Sequence, residues 1–238
     1  YLSKGMLKRV YVPTATERSH RQVIRTRRQL IDDRIRKQNQ IKSFLAQHGL
    51  PMPTVQGKWT KGFARQLKCI RFTDRWLGTS FKELLDVYEF MDQRVEKQTA
   101  LLKELSKTEQ YSDRVTILTS IPGIGILSAM ELLLELQDVE RFRTAEKLAA
   151  YVGLTPSQFS SGDHVRMGRI TRVGKSHLRA TLIEAAWILV RKDDCARETY
   201  QRIKARAGAK RAIVAVARRL LLQSRSMIIH SRPFARCA

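Results

Sequence analysis

Two stretches of this chain hold residues able to handle phosphate. In the first, Ser160-Ser161-Gly162-Asp163-His164 runs into Arg166, Arg169, Arg172, Lys175 and Arg179, five cations within fourteen residues. A serine hydroxyl attacks phosphorus only when a base removes its proton or a metal lowers its pKa, and only when the charge of the diester is neutralised. Arginine suits that neutralisation, because its fork of donors matches phosphate oxygens. Asp163 and His164 are the local base candidates and, equally, ordinary polar residues of a loop. Taken alone, Ser-Ser-Gly reads as a turn.

The second stretch is Ile121-Pro122-Gly123-Ile124-Gly125, which joins the apolar segment 115–121 to the apolar helix 126–136. Two glycines around a hydrophobic residue allow positive φ in the turn and let backbone N–H groups face outward where the next helix begins, an arrangement that attracts phosphate. The pattern resembles the helix-hairpin-helix element, which grips a nucleic-acid backbone without reading sequence. A glycine-containing connection inside a helical bundle is the competing reading. His20, His48, His164, His177 and His230 show no ligand spacing, and Cys69, Cys195 and Cys237 are isolated, so the chain is expected to hold no metal and three reduced thiols.

The elements that must position these residues follow from charge and periodicity. Lys and Arg number 45 against 22 Asp and Glu, a formal charge of +23 with 43% apolar residues. That predicts a folded chain whose default partner is a polyanion. No apolar run reaches the length of a membrane span and no secretory signal is visible, which points to the cytoplasm. Residues 80–110 reverse the charge, with seven acidic groups against five basic. Within them Phe81, Leu84, Tyr88, Met91, Val95, Gln98, Leu102 and Leu105 alternate three and four apart, the seam of a coiled coil, with Ser80 as its expected N-cap. A second helix, about Thr16 to His48, puts Ile24, Ile31 and Leu45 on one face with Ile35 and Ile41 near it. Its other faces carry nine cations, Arg21, Arg25 and Arg28 among them, expected to point outward to nucleic acid. The basic and acidic helices predict an antiparallel pair. Between them, Trp59, Phe63, Phe72 and Trp76 interleave with basic residues, either as a stacking surface for single strands or as a small core. Further on, Thr144 and Gly153 bound a short helix, a long helix runs from Ser176 to Val190, and a last basic helix spans about Arg197 to Ile229.

Taken in order, Ile121 to Gly125, Phe142, Leu148-Ala149-Ala150-Tyr151-Val152-Gly153-Leu154-Thr155-Pro156, Ser160-Ser161-Gly162, Gly168-Arg169-Ile170-Thr171-Arg172-x-Gly174 and Leu178-Arg179-x-x-Leu182-Ile183-Glu184-Ala185-Ala186 carry a resemblance. They are similar to the C-terminal domain of the insertion-sequence transposases of the one-ten family, the DEDD-type recombinases. The resemblance implies an all-α chain, with residues 1–13 the tail of an RNase-H-like domain, 14–112 a long antiparallel coiled coil with a basic aromatic insert at 50–79, and 113–238 a helical transposase domain with a helix-hairpin-helix element and a serine loop. It implies Mg²⁺ held by carboxylates upstream of Tyr1, none of them in this chain. It implies DNA and a structured non-coding bridge RNA as partners, a homo-oligomer formed through the coiled coil, and a bacterial cytoplasm with nucleoid association. By position in the motif Ser161 is the nucleophile that joins the DNA backbone, with Ser160 the less favoured choice. Gly123, Gly125, Arg166, Arg169, Arg172, Lys175, Arg179, Arg21, Arg25 and Arg28 are the expected nucleic-acid contacts. Arg172, Lys175 and Ser176 depart from residues common in the family, while charge is kept at the first two. The competing function is a non-catalytic helical scaffold for DNA or RNA.

Overall fold

A computed structural model describes residues 10–54, 59–159, 167–171 and 173–235. Ser160, Ser161, Arg166 and Arg172 lie outside them, as does most of the segment expected to be the tail of an upstream domain. The described residues are mainly α-helical, as expected, and fall into two compact units. One comprises Gln22–Leu101, and the other the described residues before Gln22 together with those from Leu102 onward.

Helix α1 (Ala15–Gln47) starts where Thr14 can cap it. Thr14 Oγ1 accepts from the Glu17 N–H at 3.2 Å and Glu17 Oε2 accepts from the Thr14 N–H at 2.7 Å, a reciprocal capping box. The Tyr11 hydroxyl donates to the other carboxylate oxygen. Helix α3 (Arg75–Leu105) begins five residues before the expected Ser80 cap. Asp74 is the reason: its Oδ1 accepts from the Leu77 N–H at 2.7 Å, which draws Gly78 and Thr79 into the helix.

In the first unit α1 and α3 run antiparallel. Arg27 donates to Thr99 Oγ1 at 2.7 Å, Arg34 pairs with Asp92, and the rings of Phe44 and Phe81 lie 5.4 Å apart, so the partner on α3 retreats as α1 advances. Along α3 the side chains of Phe81, Tyr88, Val95 and Leu102 are buried every seven residues, whereas Leu84, Met91, Gln98 and Leu105 are half-buried. Leu85, not expected in the seam, is buried with Phe63 and Leu67 of α2 (Lys61–Cys69). On α1, Ile24, Ile41 and Leu45 are buried and Ile31 half-buried, but Ile35 is 45% exposed. With Ile24, Ile31 and Leu45 at the a positions of a heptad, Ile41 falls at d, in the seam, and Ile35 at e, on its flank. The insert resolves toward a core: Phe63 is fully buried, Trp59 and Phe72 pack against the same cluster, and Trp76 alone of the four is left out at 75% exposure.

The second unit is built on α9 (Ala209–Ile229), which packs against α4 (Ser112–Thr119), α6 (Ala145–Val152), α7 (Ser176–Lys192) and α8 (Asp194–Ala207). Its inner face, Ala212, Val216, Ala217, Leu220 and Leu221, is small near α9's start and larger further along, which suits close approach of several helices. The expected single last helix is therefore two. Gly208 breaks it at φ +82°, a conformation glycine adopts without strain, and Asp193 starts α8 by accepting from the Ala196 N–H at 2.9 Å. Helix α6 has the boundaries expected of it, with Thr144 capping the Lys147 N–H at 3.3 Å and Gly153 at φ +81°. An antiparallel pair of short strands, β1 (Pro156–Gln158) and β2 (Met167–Ile170), is an addition to the all-α expectation. Cys69 is free and exposed, but Cys195 is in a disulfide, which corrects the expectation of three plain thiols.

Candidate nucleic-acid interface

The turn between α4 and α5 (Ile126–Leu136) is anchored by two apolar side chains, Ile121 and Ile124, at 1% and 4% exposure. The glycines between and after them do different things. Gly123 has φ +97°, and a Cβ there would sit 2.7 Å from the Ala185 carbonyl oxygen and 2.9 Å from Ile188 Cβ, so the turn lies directly on α7. Gly125 is extended at φ −94°, exposed, and a Cβ would meet nothing within 4 Å. Only Gly123 needs positive φ, where the sequence pattern allows it at both. Because α5 has no side-chain cap and its first intrahelical bond is Ala129 N–H to the Gly125 carbonyl at 2.9 Å, the N–H groups of the first turn stand beside that open space. This is the part of the hairpin suited to a phosphate oxygen, where the helix dipole also favours negative charge.

Helix α5 is apolar nearly all round and buried from Ala129 to Leu136. Two carboxylates one turn apart sit in it, and both face α7. Glu131 accepts from the Thr181 hydroxyl at 2.7 Å, and Glu135, 3% exposed, pairs with Lys175 Nζ at 3.2 Å. Neither belongs to the motifs singled out from the sequence. A signal was present all the same, since an acid inside a helix that is otherwise hydrophobic on every face must be paired to be buried.

That pairing changes the meaning of two expected nucleic-acid contacts. Lys175 is held by Glu135 and lies 5.7 Å from the Tyr151 ring, whose hydroxyl donates to the Glu135 carbonyl at 3.2 Å. Arg179 donates to the Val152 carbonyl at 3.1 Å. Both cations thus tie the start of α7 to the end of α6. The glycines make this possible: a Cβ on Gly153 would lie 2.3 Å from an Arg179 nitrogen, and one on Gly174, at φ +108°, would lie 2.8 Å from the Tyr151 carbonyl oxygen. Arg141 completes the bracing, its guanidinium over the rings of Tyr11, Phe142 and Tyr151 at 4.5, 4.3 and 4.8 Å. Arg225 donates to the Val139 and Phe142 carbonyls at 3.2 and 2.9 Å.

Arg169 keeps an exposed position on β2, its carbonyl accepting from the Ser157 hydroxyl at 3.0 Å. The two strands flank in sequence the segment 160–166 that holds Ser160, Ser161 and Arg166. Of the α1 cations, Arg21 donates to the Leu134 carbonyl at 3.2 Å, and Arg25 and Arg28 are half-buried and each makes a further interaction. Among the described residues no three His, Cys, Asp or Glu side chains converge as metal ligands, and no helix is long and apolar enough to cross a membrane.

Comparison with known proteins gives this geometry a context. Residues 115–201 match the family described as Transposase IS116/IS110/IS902. The chain is 28% identical over 228 residues to the transposase for insertion sequence element IS1111A of Coxiella burnetii, covering 90% of this chain and 60% of that protein. It is 27% identical over 205 residues to a probable family 20 transposase of Pseudomonas aeruginosa, covering 84% and 58%. It is also 32% identical over 130 residues to a pilin gene-inverting protein of Moraxella bovis, covering 53% and 40%. The chain therefore spans about three-fifths or less of these relatives.

Proposed function

We propose that this chain is the DNA-handling part of a transposase or recombinase that moves or inverts DNA segments. The observation that carries the reading is the match of residues 115–201, which holds the α4–α5 turn, the bracing of α6 against α7 and the serine segment in one stretch. In this reading the backbone at Gly125 and the start of α5 grips a phosphate, Arg169 neutralises another, and Lys175 and Arg179 act as positioning residues for the segment between α6 and α7. Ser161, with Ser160 second, supplies the attacking oxygen: an Oγ–P bond forms as a backbone P–O bond breaks, the serine proton passes to a base, and the leaving oxygen is protonated.

Mg²⁺ would supply charge neutralisation and lower a hydroxyl pKa. Glu131 and Glu135 do not suit it, because they already answer to Thr181 and Lys175. We therefore place the metal carboxylates in a further domain, assign no metal step to this chain, and take a structured guide-type RNA and a second copy of the protein as the remaining partners.

The test is a covalent-adduct assay. Full-length protein, Mg²⁺, cognate DNA and any associated RNA are resolved under denaturing conditions beside Ser161→Ala and Ser160→Ala. An adduct lost only with Ser161→Ala is the expected result. DNA cut with no adduct would remove the serine role and leave a helical nucleic-acid scaffold.

A further inference from the structure

The last forty residues of the chain contain no Asp or Glu at all, the final carboxylate side chain being Glu198. The family match stops at residue 201, so it assigns no role to the residues beyond that point. The structure folds this acid-free stretch into the end of α8, the Gly208 turn and α9. Arg202, Lys204, Arg206, Lys210 and Arg211 are all exposed, and among the described residues none of them has an ion-pair partner.

At 1.5 Å per helical residue, Arg202 lies about 9 Å along α8 from Gly208, and Lys210 and Arg211 are closer on α9. All five charged positions thus lie within about two helical turns of Gly208, an axial span comparable with the Debye length of about 10 Å at 0.1 M salt. Local helix electrostatics accounts for only part of this. Lys204 and Arg206 are in the last turn of α8, where a cation is favourable. Lys210 and Arg211 are in the first turn of α9, where a cation opposes the dipole and where there is no acidic residue and no side-chain cap. The buried face of α9 is formed by residues such as Ala212, Ile213, Val216, Ala217 and Leu220, so Lys210 and Arg211 lie off it, while on α8 Lys204 Nζ lies 5.9 Å over the Tyr200 ring. A Cβ at Gly208 would meet nothing within 4 Å, which leaves the turn open to close approach.

We infer that the α8–Gly208–α9 tip is a second binding site for a nucleic-acid phosphate backbone, separate from the α4–α5 turn and blind to sequence. The inference rests on the proposed function and deepens it. A polyanion relieves the repulsion among the five cations and the opposition at the start of α9 together. The recognised group is the phosphodiester, and the strand that carries it is decided by the probes.

The experiment measures affinity of the full-length protein against salt for three probes: a duplex of arbitrary sequence, a single-stranded DNA and an RNA hairpin. Each neutralised phosphate contributes about −0.9 to the log–log slope on duplex and about −0.7 on a single strand. A variant carrying Arg202→Gln, Lys204→Gln, Arg206→Gln, Lys210→Gln and Arg211→Gln is expected to lose at least about 2 from the magnitude of that slope on the strand that uses the tip, with helicity retained. Should that variant fold poorly, Lys210→Gln with Arg211→Gln is expected to lose about 1 to 2. Unchanged slopes on all three probes, while the parent binds, overturn the tip and leave the proposed function intact. A parent that binds none of the probes overturns both.

Discussion

Lys175 Nζ stands 3.2 Å from Oε2 of Glu135, a carboxylate with 3% of its side chain exposed. Spacing alone groups Lys175 with the phosphate-facing cations, yet its charge is committed inward, to an acid that a hydrophobic helix could not otherwise bury. Lys175→Met is therefore expected to lower stability by about 2–3 kcal/mol, less than a fully buried pair because the lysine is partly exposed. Lys175→Arg should recover part of the loss. Urea unfolding reads this; a variant of unchanged stability that had lost only DNA affinity would return Lys175 to the nucleic-acid surface.

The two glycines of the α4–α5 turn should separate stability from binding. Gly123→Ala places a methyl 2.7 Å from the Ala185 oxygen at φ +97° and is expected to cost at least about 2 kcal/mol. Gly125→Ala meets nothing and should change stability by less than about 0.5 kcal/mol while weakening duplex binding, because its methyl enters the space a phosphate would use. Thermal melts beside a binding titration check both halves.

The insert between α1 and α3 provides a contrast among aromatics. Phe63, 1% exposed in the cluster with Ile41, Leu45 and Phe81, should cost about 3–5 kcal/mol on truncation to alanine. Trp76→Ala, at 75% exposure, should cost less than about 0.5 kcal/mol. Equal effects in denaturant titrations would mean that the insert core is wrongly identified.

Acid and alkali should both loosen the start of α1. The Tyr11 hydroxyl, donating to Glu17, holds that carboxyl below its ordinary 4.5, so its contribution is present above that value and is lost as pH falls through the lowered one. Burial, and then the bond to Glu17, push Tyr11 up to about 12, so its contribution is whole below pH 10 and disappears between 10 and about 12. Tyr11→Phe should flatten the alkaline loss and bring Glu17 back toward its ordinary value. Melting temperature across pH, with and without the substitution, reads both.

Much of this molecule is set by neighbours in sequence. The helical class, the Thr144 cap, the Gly153 stop and the burial of Phe81, Tyr88 and Val95 every seven residues arise from local hydrogen bonds and periodicity, and the opposite charges of α1 and α3 already mark the two helices as partners. The match of ordered motifs from Ile121 to Ala186 was likewise legible residue by residue. What only tertiary structure decided is which way a given charge or ring faces. Glu135 takes Lys175 from across forty residues, Val152 takes Arg179, and α2 turns three of the insert's four aromatics inward. A linear pattern records that a cation is present, but whether it is free for phosphate depends on partners that are distant in sequence and brought together only by folding.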